Sequence, residues 1–309
     1  MSGAQAFSTL AADGYRLHGH VWRHGPGPRR PLVIINPATS VHSRYYSRFA
    51  AWLHQAGFDV LSYDYRGIGG SRPAQLRGFH AGWIEWGRLD FEAMLVHARE
   101  HFPGQPLQVV AHSVGGFLVG LAASNVQVER VFSVGAQFAY WRDYQPARRL
   151  GLLLKWHLAM PALTALCGYF PGRRLGWLED TPRGVVQDWT SRHPRFEDGF
   201  RHGPRALPAG ERQQLVARFA GLRGPTLALS LSDDEFGTIP AIERLLGYFR
   251  NSDCQHLHLT PGRFGLVQIG HFAFFRQEFA ETLWPIARDW LHDGTVAPDL
   301  ADGLLARPG

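Results

Sequence analysis

LQVVAHSVGGFLVG, residues 107–120, joins a short apolar run to a glycine-rich segment through one serine, Ser113. The apolar run is typical of a buried strand and the segment after it of a helix, so Ser113 lies in the turn between them. Because positions flanking so tight a turn must be small, such turns read G-x-S-x-G; here Ala111 replaces the first glycine and Gly115 is the second. The pattern predicts a serine nucleophile at the top of a sheet, with a serine that merely caps the helix as the alternative.

Strands and helices alternate on both sides of this turn. The apolar runs PLVIINPA and DVLSYDYRG come before it, each followed by a segment with helical periodicity, and RVFSVGAQ comes after it. The first residues, AFSTLAADGYRLHGHVWR, alternate about the turn pair Asp13-Gly14 and predict a β-hairpin at an antiparallel edge. The whole pattern predicts an α/β fold with a doubly wound, mostly parallel sheet and an inserted helical cap.

The alternation stops near residue 140 and resumes after residue 207 with the strand PTLALSLS, the strand CQHLHLT and the helix RQEFAETLWPIARDWLHD. We therefore predict a core of residues 1–139 and 208–293, a cap or lid of residues 140–207, and a loose tail of residues 294–309. The cap has aromatic side chains that would either roof an apolar pocket or form part of a core: Tyr140, Trp141, Tyr144, Trp156, Trp177 and Trp189. Its arginines would either hold an anionic head group or form a solvated face: Arg148, Arg149, Arg173 and Arg174.

A serine hydroxyl becomes nucleophilic only when an imidazole takes its proton, so an acid and a histidine should follow Ser113 in that order. The acid is expected just after PTLALSLS, where SDDEF offers Asp234 as the first choice and Asp233 as the alternative. The histidine is expected in the loop after the last strand, where His271 follows Gly270. We predict that Ser113, Asp234 and His271 form a catalytic triad.

The negative charge that develops on the substrate oxygen needs preorganised N–H donors. One is normally the N–H after the nucleophile, here that of Val114, and the other comes from the loop after the third strand. That loop reads NPATSVHSRYY, and because Pro37 has no N–H, the N–H of Ala38 is the predicted second donor.

These segments together resemble the α/β-hydrolase superfamily. The NPAT loop, YDYRGIGGS, AHSVGG, SDDEF and GHF carry the resemblance, which covers about residues 15–293. More narrowly, they are similar to a bacterial branch of predicted hydrolases grouped with serine aminopeptidase-like and monoacylglycerol lipase-like proteins. The resemblance implies the fold and the triad, and within YDYRGIGGS we expect Asp64 and Arg66 to brace loops.

The leading hypothesis is hydrolysis of a carboxylic ester or thioester of a small acyl substrate through an acyl-serine intermediate. An acyltransferase that uses the same triad and a non-catalytic binding protein on the same fold are the alternatives. No cofactor is expected. No metal site is indicated either, because Cys167 and Cys254 lie far apart without metal-ligand spacing.

The composition limits the classes of partner that the protein is expected to bind. Lys plus Arg number 32 against 26 for Asp plus Glu, but the basic residues are scattered, so nucleic-acid binding is not expected. Residues 150–170 are apolar and long enough to cross a membrane, yet Lys155 lies inside, so we expect a lid or interface helix and no integral span. The first residues lack the pattern of a signal peptide, which favours the cytoplasm. The oligomeric state stays open, a homo-oligomer included.

Overall fold

A computed structural model describes residues 3–25 and 30–306 of the chain. Its strands are β1 (Ala4–Leu10), β2 (Arg16–Trp22), β3 (Leu32–Asn36), β4 (Asp59–Tyr63), β5 (Leu107–His112), β6 (Val128–Val134), β7 (Tyr169–Phe170), β8 (Thr181–Pro182), β9 (Thr226–Leu231) and β10 (Cys254–Leu259). Eight of them form one sheet in the order β1-β2-β4-β3-β5-β6-β9-β10, while β7 and β8 pair separately.

The sheet is parallel except at one edge. The hairpin β1–β2 is antiparallel, β2 is antiparallel to β4, and all other neighbours are parallel. Every residue of β3, β4, β5 and β9 is buried, as expected where helices cover both faces, whereas no residue of β1 is fully buried and four of its seven are exposed. The predicted mostly parallel α/β fold and its antiparallel hairpin are confirmed.

Helices cover both faces of the sheet. They are α1 (Ser47–Gln55), α2 (Trp83–Glu85), α3 (Glu92–His101), α4 (Val114–Leu121), α5 (Arg149–Leu154), α6 (Met160–Cys167), α7 (Gly172–Leu175), α8 (Arg183–Trp189), α9 (Ala209–Phe219), α10 (Ile239–Leu246) and α11 (Trp284–Asp293). Single π-helical segments join α2 to α3 and α5 to α6. One core packs α1 and α11 against β3 residues such as Ile35, and a second packs α3, α4 and α9 against Ile34 on the opposite face.

The last helix is shorter than RQEFAETLWPIARDWLHD predicts. Its residues before Trp284 include a short 3₁₀ turn, Gln277–Phe279, rather than forming an α-helix. Pro285 explains the difference, because it lacks an N–H and therefore fits the first turn of a helix but not its interior.

The expected loose tail is packed in the described part of the chain. Pro298–Gly303 forms a 3₁₀ helix, Leu300 is buried, and the Leu305 N–H donates to the His256 carbonyl at 2.8 Å. The leucines give this segment apolar surface to bury against β10, so it does not remain free.

The continuous helix Arg149–Cys167 lies between β6 and β9 along the chain. It is long and apolar enough to span a membrane by length and composition, and 28% of its most apolar stretch is buried. Trp156 and Met160 are buried, while Leu150, Leu154 and Leu158 repeat every fourth residue on an exposed face. This two-sided pattern is that of a helix lying on the protein.

Candidate active site

Ser113 stands where β5 turns into α4, with φ 54° and ψ −123°. Few L-residues adopt positive φ, and such backbone strain clusters at functional sites. The two glycines after it are sterically required. A Cβ on Gly115 would lie 2.4 Å from the Asn36 carbonyl oxygen, and one on Gly116 would lie 2.5 Å from the Ala136 Cβ. The sequence pattern therefore marks a tight packing point that holds the serine in place.

His271 and Asp234 form a buried pair in the loops after β10 and β9. His271 Nδ1 lies 2.7 Å from Asp234 Oδ2, and the other Asp234 oxygen accepts the N–H groups of Phe236 and Gly237, each at 2.8 Å. Burial raises the pKa of Asp234, but the charge and hydrogen bond of His271 and the two N–H groups outweigh it, so this pKa lies below its ordinary value. Asp234 is thus held as a carboxylate against the imidazole.

The neighbouring Asp233 has a different place. Its Oδ2 accepts the N–H groups of Ile269 and Gly270 at 2.7 and 2.8 Å, which braces the loop that leads to His271. The structure therefore places Asp234, and not Asp233, against the imidazole.

Ser113 and His271 line the same pocket, yet the serine hydroxyl has another partner. Gln137 Nε2 lies 3.4 Å from Ser113 Oγ, and the Ala139 N–H donates to Gln137 Oε1, which fixes the amide with its NH₂ toward the serine. Among residues 3–25 and 30–306, no hydrogen bond joins Ser113 to His271. Sequence reasoning missed Gln137; the one available signal was a polar residue just beyond the carboxyl end of a parallel strand.

A buried hydrogen-bond chain connects the loops around the serine. The Ala38 N–H donates to the Tyr46 hydroxyl at 2.9 Å, this hydroxyl lies 2.8 Å from His112 Nδ1, and His112 Nε2 lies 2.8 Å from the His271 carbonyl. A carbonyl only accepts, so His112 carries its proton on Nε2 and Tyr46 donates to Nδ1. Burial and the nearby charge of His271 lower the pKa of His112 to about 3, so it is neutral. His112 thus bridges the loop that follows β3 and the loop that contains His271.

The hydrogen bond to Tyr46 changes the interpretation of the Ala38 N–H. Its N–H, predicted to be the second oxyanion donor, already has the Tyr46 hydroxyl as acceptor. The Thr39 N–H, one residue later, has no acceptor among the described residues, and Thr39 lines the pocket beside Ser113 and Val114. The Val114 N–H lies in the first turn of α4, where N–H groups have no partner within the helix.

The pocket above Ser113 has a volume of about 140 Å³; six of its sixteen described lining residues are Trp or Phe, and the charged Lys155 and Glu235 are also among the sixteen. Trp156, Trp177 and Trp189 line it as predicted, together with Phe236 and with Trp83 of α2, which was not predicted. Of the other predicted roof residues, Tyr144 lies behind this wall, accepting the Trp189 Nε1–H at 3.3 Å. Tyr140 and Trp141 are not among the described lining residues.

The expected loop braces are confirmed. Asp64 accepts the N–H groups of Ser43 and Gly70 at 2.6 and 2.8 Å, and Arg66 pairs with Asp90 and Asp13, each at 2.6 Å. Two of the cap arginines pair with acids: Arg148 lies 3.4 Å from Glu235, and Arg173 lies 3.8 Å from Glu179.

Within the described ranges, one group of side chains has metal-ligand spacing. The ligand atoms of His24, His54 and Asp59 lie within 4.8 Å of one another. Asp59 is the first residue of β4, so this group lies at the amino-terminal ends of the parallel strands. Ser113 follows the last residue of β5 and therefore lies at the opposite, carboxyl-terminal ends. It takes no part in the candidate active site.

Comparisons with known proteins agree with this fold. The model of the family Hydrolase_4, serine aminopeptidase S33, matches residues 27–216. A soluble variant of monoglyceride lipase from Saccharomyces cerevisiae, solved with a substrate analog, has a TM-score of 0.67 at 13% identity, over 96% of this chain and 97% of that chain. An esterase from Pyrococcus furiosus has a TM-score of 0.59 at 13% identity, over 93% and 90% of the two chains. No curated protein sequence matched. The resemblance predicted from the motifs is confirmed.

Proposed function

Since this chain belongs to the serine aminopeptidase S33 family of α/β-hydrolases, we propose that it cleaves a carboxylic ester or thioester through an acyl intermediate on Ser113. The observation that carries the proposal is the pair His271 Nδ1–Asp234 Oδ2 at 2.7 Å, which faces the same pocket as Ser113 on its strained turn.

In the first half-reaction, the Ser113 hydroxyl rotates from Gln137 toward His271. His271 Nε2 takes the proton as Ser113 Oγ bonds to the acyl carbon, and Asp234 stabilises the imidazolium through Nδ1–H. The tetrahedral intermediate collapses, the bond to the leaving group breaks, and His271 returns the proton to the leaving oxygen or sulfur. Water then attacks the acyl-serine with His271 again as base, which releases the acid and restores Ser113.

The developing oxyanion is held by the Val114 N–H and by the loop after β3. Because the Ala38 N–H donates to Tyr46, we assign the second donor to the Thr39 N–H, one residue beyond the predicted position. Loss of one such donor costs roughly 2.7–4 kcal/mol of transition-state stabilisation in other serine hydrolases.

The inserted segment 140–207 acts as a cap that closes the acyl pocket. This segment contributes Trp156, Trp177 and Trp189 to the lining of the pocket. The small volume of the pocket beside these tryptophans suits short acyl groups.

The test is turnover of p-nitrophenyl esters whose acyl chains run from acetyl to dodecanoyl. We expect kcat/KM to peak at a short chain, and we expect Ser113→Ala to abolish turnover while leaving the circular dichroism spectrum unchanged. Wild-type turnover in the folded Ser113→Ala variant would refute the proposal.

A further inference from the structure

A second groove opens beside the catalytic pocket. It has a volume of about 680 Å³ and lies between the loop after β3, the start of α1 and the segment after His271. Trp177, Leu178 and Phe272 line both the groove and the catalytic pocket. The groove and the catalytic pocket are therefore adjacent and share one wall, and the proposal below places the reacting bond at Ser113 and another part of the substrate in the groove.

The groove is positively charged. Arg44, Arg48 and Arg276 line it and are exposed. Arg44 and Arg48 form no ion pair with any described residue, and the acid nearest to Arg276 is Glu278 at 3.9 Å, with both side chains about 60% exposed. Such an exposed pair leaves the arginine available to a ligand.

The other charged groups at the groove do not cancel this charge. Glu179 is the one acid among the described lining residues, and it lies 3.8 Å from Arg173. His42 also lines the groove, with its Nδ1 3.3 Å from Asp64 Oδ1. Ser47, the first residue of α1, also lines the groove, and the first turn of this helix has no acidic residue that would offset the arginines.

The groove lies on the side of the catalytic pocket where the leaving group is expected. In acyl transfer to a serine, the histidine protonates the leaving atom, so the leaving group lies on the histidine's side of the acyl carbon. Phe272 follows His271 directly and lines the groove, and Arg276 lies four residues further on.

A smaller opening of about 370 Å³ has His271 itself in its lining, whereas the groove reaches only its neighbour Phe272, but the charges of this smaller opening are balanced. It has Asp233 and Glu235 together with Arg148 and Arg276, and Arg148 pairs with Glu235 at 3.4 Å. An anionic leaving group is therefore better accommodated in the groove formed by Arg44, Arg48 and Arg276.

We propose that Arg44, Arg48 and Arg276 form a subsite for a phosphate group carried by the leaving alcohol or thiol of the substrate. The proposal rests on the ester or thioester hydrolysis proposed above. Guanidinium groups bind phosphate oxygens in bidentate fashion, which neutral leaving groups cannot exploit. A phosphate on a glycerol leaving group and one on a pantetheine leaving group present the same chemistry, so the test includes both.

The test uses substrate pairs that differ only by the phosphate. One pair is butyryl-glycerol and butyryl-glycerol 3-phosphate, and the other is butyryl-pantetheine and butyryl-4′-phosphopantetheine. We expect the phosphorylated member of at least one pair to have a kcat/KM about 10–100-fold higher at low salt, as charge-assisted hydrogen bonds provide. The pair that shows the preference identifies the carrier.

The variant Arg44→Ser/Arg48→Ser/Arg276→Ser should bring that ratio to about one, and 0.5 M NaCl should lower it in the wild type. The matched control, Arg16→Ser/Arg99→Ser/Arg250→Ser, removes the same charge from exposed positions that do not line the groove and should keep the ratio. If the first triple variant does not fold, Arg44→Gln alone is measured in the same way and should lower the ratio.

Equal kcat/KM within both pairs, or a preference that persists in the arginine variants, would overturn the subsite. Failure of the proposed function is separate, since it would appear as absent p-nitrophenyl ester turnover in the wild type.

Discussion

Ser113 combines backbone strain with a hydroxyl whose partner must change during the reaction. A residue held in a sparsely populated conformation costs of order 1–3 kcal/mol, and the close packing of Gly115 and Gly116 maintains it. The hydroxyl is 3.4 Å from Gln137 Nε2, so the amide holds it in the resting state. Gln137 therefore positions the serine hydroxyl without reacting itself.

Asp234→Asn should lower kcat about 10⁴-fold, because an amide stabilises the wrong imidazole tautomer and does not stabilise the imidazolium. Asp233→Asn should retain most of the activity, since its side-chain oxygen still accepts the N–H groups of Ile269 and Gly270. Steady-state kinetics of both variants on one p-nitrophenyl ester checks the ranking, and the reverse order would assign the orienting acid to Asp233.

The pH profile follows from the ionisation states at the site. The pKa of Asp234 lies below its ordinary value and that of His112 is about 3, so near neutrality Asp234 stays charged and His112 stays neutral. Neither group should therefore add a limb to the profile of kcat/KM near neutrality, which the pH dependence of p-nitrophenyl ester turnover measures. His271→Gln removes the proposed base and should abolish turnover at every pH; turnover retained by this variant would contradict the assignment of the base.

Among the elements, the loops after β3, β5 and β10 act as a unit, because Tyr46 and His112 connect Ala38 to the His271 carbonyl. The start of one loop, the serine turn and the base are thus positioned through one buried chain of hydrogen bonds. A change at Tyr46 should therefore affect the reaction although its side chain does not itself line the substrate pocket.

Tyr46→Phe should lower kcat with little change in KM, and it should destabilise the fold by about 1–3 kcal/mol, because two buried polar groups lose their partner. Tyr248→Phe is the matched control, since its hydroxyl bonds Glu197 at 2.8 Å away from the site, and it should leave kcat unchanged. Equal kcat values for the wild type and Tyr46→Phe would show that the hydrogen-bond chain through Tyr46 does not position the reacting groups.

Sequence reasoning was strongest for elements whose signal is local. The turn at Ser113, the hairpin about Asp13-Gly14 and the buried strands follow from short-range patterns of size and polarity. The Tyr46–His112 chain and the Gln137 contact join residues 66 and 24 positions apart, so they depend on how loops pack and no local pattern contains them. For the same reason, no local pattern indicates the hydrogen bond from the Ala38 N–H to Tyr46, on which our proposed assignment of the second oxyanion donor to the Thr39 N–H rests.

The molecule as a whole has two apolar cores, one on each face of the sheet. Phe49 of α1 is fully buried and packs edge-on against Phe274, Phe275 and Trp284, which link α1 to the chain after His271. The exposed leucines of Arg149–Cys167 lie outside both cores.

Phe49→Ala should lower the free energy of unfolding by about 3–5 kcal/mol, through lost burial and the cavity left behind. Leu158→Ala is the comparison: this side chain is 50% exposed, so the change should stay within about 0.5 kcal/mol. Urea denaturation of the two variants measures both free energies of unfolding. Similar losses of stability would show that the aromatic cluster around Phe49 contributes no more to stability than an exposed leucine does.

If Ser113 is a nucleophile activated by His271, a fluorophosphonate should label it covalently. The hydroxyl should attack phosphorus and expel fluoride, so mass spectrometry should find one phosphonyl adduct, on the peptide that contains Ser113. His271→Gln should slow this labelling strongly. An adduct on another residue, or equal labelling rates in the wild type and His271→Gln, would contradict the account.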